Sequence, residues 1–212
     1  MAIQIAGNAG VVAEVDANRA VSTVIRPTDW GALGAYSKAL TSGTMAAALA
    51  SGSSIFQFRN STSNVYLLRR VFISAGDLVA FTAGLITFQL TVARNFTANG
   101  SGGTAATLTG NTGKLRTSMA TTGTADIRIS STAALTAGTW TLDGDPIGAI
   151  STSAPATAGV NFLPQSVLFD RRVGEQPLIL AQNEGFNISA TVPATGTWQF
   201  SVQVDWEELA SY

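Results

Sequence analysis

Cysteine and histidine are both absent from the 212-residue chain. Without cysteine, neither a disulfide nor a thiolate metal site can hold the fold together. Without histidine, the commonest general base, the commonest metal ligand and the usual partner of a catalytic serine are missing. Charge is scarce as well: Asp, Glu, Lys and Arg make up 12% of the residues, against about a quarter in ordinary soluble domains. The wet surface must therefore be built largely from Ser, Thr, Asn, Gln and Gly. Such a surface suits close contact with neighbouring subunits better than long-range steering. The densest basic spots are the pairs Arg69–Arg70 and Arg171–Arg172 in a chain of net charge −1, short of the patch that nucleic acid requires. No nucleic-acid partner is expected. The longest apolar run, Leu78–Phe88, is interrupted by Thr82, Gly84 and Thr87 and is too short to span a bilayer, so no membrane partner is expected either. The opening M-A-I-Q-I-A-G-N lacks a basic n-region and a continuous apolar core, so the expectation is a soluble protein made in the cytoplasm.

What is present is alternation. The stretch Trp198–Trp206 places Trp198, Phe200, Val202, Val204 and Trp206 on one side and Gln199, Ser201, Gln203 and Asp205 on the other, the mark of a strand with one dry and one wet face. At about 3.3 Å per residue it spans roughly 30 Å, enough to cross a whole sandwich. Further strands are expected at Val21–Arg26, Tyr36–Thr44, Ser54–Arg59, Val65–Ser74, Asp126–Ser130, Trp140–Leu142, Pro164–Phe169, Pro177–Leu180 and Phe186–Val192. Val79–Arg94 should supply one or two core strands, with Gly84 as a bulge or bend. The polar turn Asn60–Asn64 makes the strands on either side of it read as a hairpin. Met45–Ala50 is the one place where a helical turn is expected, and Asn95–Gly113 reads as a long loop. The sum is roughly ten to twelve short strands, the pattern of an all-β, antiparallel β-sandwich, with a jelly roll as the specific expectation. Residues 1–26 read as an extended N-terminal arm, or equally as edge strands of the same sheet, and residues 27–212 as a single β-sandwich domain.

Candidate chemistry is thin. Asp143-Gly144-Asp145-Pro146 is a close carboxylate pair in a turn, but a calcium loop needs further oxygen ligands at fixed positions, so a turn held by aspartate side chains is expected. Glu207-Glu208, with Asp205, reads as a solvated acidic end. Gly100–Gly103 lacks the lysine and helix of a phosphate cradle. Trp30, Trp140 and Tyr36, all near turns, are the aromatic candidates for stacking on a sugar, with core or interface packing the stronger reading. No catalytic residue, metal ligand or cofactor is assigned, and no enzymatic activity is expected.

Several stretches together resemble structural proteins of tailed bacteriophages: M-A-I-Q-I-A-G-N-A-G-V-V-A-E-V-D at the start, Arg26–Tyr36 (R-P-T-D-W-G-A-L-G-A-Y), Gly110–Met119 (G-N-T-G-K-L-R-T-S-M) and the ending T-W-Q-F-S-V-Q-V-D-W-E-E. The resemblance implies a virion protein of the capsid decoration (cement) type, a homotrimer on the capsid exterior whose partners are the major capsid protein and itself. The alternative is a head- or tail-fibre component that binds a host surface glycan or receptor.

Overall fold

The computed structural model describes residues 34–108, 113–115, 125–171 and 176–210. The expected arm at residues 1–26, the strand Val21–Arg26 and the turn carrying Trp30 lie outside them. Two antiparallel sheets pack face to face, and no helix occurs among the described residues. The first sheet contains β1 (Gly34–Thr41), β2 (Met45–Ala46), β4 (Val65–Val79), β10 (Leu163–Asp170), β11 (Leu178–Leu180) and β13 (Thr197–Leu209). The second contains β3 (Ser53–Asn60), β5 (Leu85–Ala98), β6 (Thr104–Ala105), β7 (Ala125–Ile129), β8 (Thr139–Leu142), β9 (Gly148–Ser153) and β12 (Gly185–Thr191). The strand orders are β1-β13-β4-β10 and β6-β7-β3-β12-β5-β8, with β9 also on β5, β11 also on β4 and β2 also on β13.

β13 is the central strand of its sheet, flanked by β1 and β4 along most of its length. Its five alternating apolar side chains are all buried, while Gln199, Ser201, Gln203 and Asp205 are half-buried on the outer face. Each of its tryptophans anchors an aromatic cluster that ties the two sheets together. Trp206 stacks on Tyr36 at 5.5 Å and meets Phe58 of the opposite sheet edge-on at 5.4 Å. Trp198 packs on Phe200 at 5.2 Å and on Phe88 across the sandwich at 5.8 Å.

Several expectations are corrected. Ser54–Arg59 and Val65–Ser74 do not form a hairpin: β3 pairs with β12 and β7, β4 pairs with β13, β10 and β11, and the turn between β3 and β4 crosses from one sheet to the other. β4 continues to Val79, whereas Gly84 is the expected bend, placed just before β5. β5 runs on to Ala98, so the expected loop begins as strand, and Phe96 is buried against Trp140 at 4.7 Å. Met45–Ala50 is not helical. Its backbone groups bond to other segments: Ala46 N–H to Thr132, Ala48 N–H to Pro193, and Leu49 C=O from Val192 N–H. Trp198 Nε1–H also donates to Ala46 C=O at 3.1 Å. An alanine run this short has too little intrinsic helicity to compete with those tertiary bonds.

The outer face of the second sheet is partly roofed by residues 99–103 and 130–138. Beneath the roof, Gln57 accepts from Gly100 N–H at 2.7 Å and donates to Ser54 Oγ at 2.9 Å and Thr136 C=O at 3.2 Å, and Ser54 Oγ donates to Asn187. The network lets fully buried Gln57 and Asn187 sit on a sheet face without unmet amides.

Candidate functional site

Charge is segregated along the sandwich. The ion pairs described stand in the half where β13 ends: Arg59–Asp126 (3.0 Å), Arg69–Glu207 (3.0 Å), Arg70–Asp170 (3.1 Å), and Arg94 with both Asp143 (3.3 Å) and Glu184 (2.7 Å). The bond to Glu184, and then that to Asp143, raise the Arg94 pKa above its ordinary value against the opposing effect of burial. The D-G-D-P turn is thus tied down by an arginine fork, with Asp143 N–H bonded to Val92 C=O and Ile147 N–H to Leu90 C=O.

Glu207 and Glu208 correct the expectation of a solvated acidic end. β13 does not stop at Trp206, and both glutamates are buried. A bulge opposite Asp205 and Trp206 leaves Arg69 as the extra residue of β4. Arg69 reaches both Glu207 oxygens, at 3.1 and 3.0 Å. Tyr36 stands in the expected strand as a fully buried member of β1, in line with the packing reading over the sugar-stacking one. Trp140 is half-buried in β8 against Phe96, and Trp30 lies outside the described residues.

Burial, and next the charge of Glu208, push the Tyr36 hydroxyl up from 10.0 to about 12. The folded chain therefore holds this proton more tightly than the unfolded one. The associated stability is complete below pH 10 and is lost as pH rises through 12, about 2–3 kcal/mol in all. Denaturant melts repeated at successive alkaline pH values should show the midpoint falling across this window in the wild type and falling less in Tyr36→Phe.

The opposite end is built from five segments: residues 42–52, 80–84, 130–135, 154–162 and 192–196. None of them contains a charged residue. They are bonded to one another in a continuous chain. Ala46 N–H joins the first to Thr132, Ala48 N–H joins it to Pro193, Thr82 N–H donates to Thr195 Oγ1 at 2.9 Å, and Phe81 N–H donates to Pro155 C=O. Gly43 lies so close to the Ser131 carbonyl that a side chain there would collide with it. About half of this cap is exposed Ala, Ser, Thr and Gly. Around it stand the exposed apolar side chains Leu78, Val79, Leu85 and Val160, with Leu85 63% accessible. Such a surface can be desolvated without stranding a charge, the condition for the centre of a protein–protein contact. Sequence reading missed it. Its signal is an absence of charge spread over five separate stretches.

No protein-family model matches the chain, and neither a curated protein nor a solved structure does.

Proposed function

We propose that the protein is a non-catalytic structural component of a tailed-phage virion, a decoration protein that sits on the outer surface of the major capsid protein shell and stabilises it as a homotrimer. The observation that carries this reading is the charge-free cap, whose ring of exposed Leu78, Val79, Leu85 and Val160 fits a contact surface. The resemblance of the quoted stretches supplies the virion context. Attachment is passive and multivalent: three copies present their weak contacts together. Binding only the assembled shell stabilises that state by linkage. The arm Met1–Val15 is the further part proposed to reach neighbours.

The finer fold assignment belongs to the same proposal. β1-β13-β4-β10 facing β3-β12-β5-β9 is the order that eight strands take when two Greek keys wrap into a jelly roll. In that reading β2, β6, β7, β8 and β11 are additions to the eight.

Leu85→Lys and Val79→Glu change exposed side chains and should leave the melting temperature within a few degrees of wild type. Either would place an unpaired charge in the contact, so occupancy of purified particles should fall at least tenfold. Full occupancy by both variants would reject the cap as the contact surface. Imaging of intact virions tests the role itself: trimers repeated over the whole shell are expected, and density confined to the tail or one vertex would transfer the case to a fibre.

A further inference from the structure

The outer face of the first sheet carries a groove over β4 and β13. Its main cavity, about 400 Å³, is continuous across Ser74 and Ser201 with a smaller one of about 110 Å³. The main cavity falls within the usual size of small-molecule sites, roughly 300–1,000 Å³. Two features of the lining point to one class of ligand. Phe72 lines the smaller cavity as a half-buried aromatic on an otherwise hydroxyl- and amide-bearing face, cross-strand from Gln203. Gln199 and Ser74 supply uncharged donors and acceptors; Gln203, whose amide nitrogen donates to Ser37 and Asp205, offers its carbonyl oxygen, and Ser201, bonded to Thr41, its remaining capacity. Asp77 lies at the far end, 3% accessible; its Oδ1 accepts from Val160 N–H at 2.6 Å, and its Oδ2 has no partner among the described residues. Because that oxygen is closed to solvent, Asp77 shapes the end of the groove rather than bonding a ligand.

The wall is held in place. Asp77 N–H donates to Val160 C=O at 3.0 Å. Asn161, with its amide oriented to satisfy both groups, donates to the carbonyls of Ala75 and Leu163 at 2.9 and 3.1 Å. Among the described residues no lysine or arginine lines either cavity, which disfavours an anion. One carboxylate is too few for a divalent cation. An extended peptide would add to a free strand edge, but the floor strands β4 and β13 are each paired on both sides.

We propose that this groove binds a neutral saccharide chain, with Phe72 as the stacking platform and the glutamines and serines reading ring hydroxyls. The inference does not rest on the shell reading; Leu78 and Val160 belong both to the cavity lining and to the exposed ring of the cap, so binding is tested on the protein free of particles.

The test is a printed array of neutral oligosaccharides of glucose, galactose, mannose and N-acetylhexosamine units, probed with the full-length protein, then calorimetry on the best hit. Gln203→Ala and Phe72→Leu are compared with wild type after their melts are shown to be unchanged. Saturable binding with Kd on the order of 0.1–1 mM, weakened at least fivefold by both variants, is the expected result. An array without a hit, binding that both variants retain, or tighter binding to an oligogalacturonate than to any neutral chain would each overturn the proposal. So would capture of an extended polar peptide in place of the sugars.

Discussion

Trp206→Ala should cost about 4 kcal/mol, the upper part of the range for removing a fully buried aromatic. The indole is 1% accessible and touches both sheets, stacking on Tyr36 and meeting Phe58 edge-on. Phe58 in turn stacks on Phe186 at 5.2 Å, and Phe186 lies 6.0 Å from Phe56. Truncation thus opens a void at the junction of the two layers, and rings fixed in strands on both sides cannot collapse to fill it. A chain of typical stability, about 5–15 kcal/mol, would be left near its unfolding threshold. Urea melts followed by far-ultraviolet dichroism should show the midpoint falling steeply at an unchanged slope. Trp206→Phe, which keeps a ring, should lose less than half as much. A loss below about 1 kcal/mol for Trp206→Ala would show that the aromatic cluster does not join the sheets energetically.

Arg69→Met is the second large effect. The Arg69 and Glu207 side chains are 13% and 10% accessible, and the fork is bidentate. Removing the cation takes the bidentate partner from a largely buried carboxylate, which typically costs about 3–5 kcal/mol. The double variant Arg69→Met with Glu207→Leu removes both charges and should recover most of the loss. Arg70→Met, by contrast, breaks a pair with Asp170 in which the arginine is half exposed, so under about 1 kcal/mol is expected. Measured by the same melts, a double variant as unstable as Arg69→Met alone would show that packing by the arginine stem, rather than the unpaired charge, carries the effect.

Period-two alternation made β13, β3, β7 and β12 legible before any coordinates, because burial of one sheet face writes itself directly onto the residues. β4 shows where that signal blurs. Its core-facing residues are Tyr66 and Leu68 before the bulge and Val71, Ile73 and Ala75 after it. The phase changes from even to odd across Arg69–Arg70, and Phe72 is carried onto the wet face, where no simple pattern would place it. β9, with the pattern G-A-I-S-T-S, gave no apolar stripe because its exposed edge position asks for none.

The sequence by itself determined the class of the molecule: all-β, charge-poor, without thiol or imidazole chemistry, and closed by a long two-faced strand. Only the tertiary structure decided which strands are neighbours, since alternation records which side of a strand is dry but not what lies beside it. For that reason β3 and β4 read as a hairpin yet belong to different sheets. The same holds for Glu207, whose buried carboxylate is met by Arg69 arriving from 138 positions away. It holds again for the cap, where five uncharged stretches become one surface only when the two sheets bring their turns to the same end.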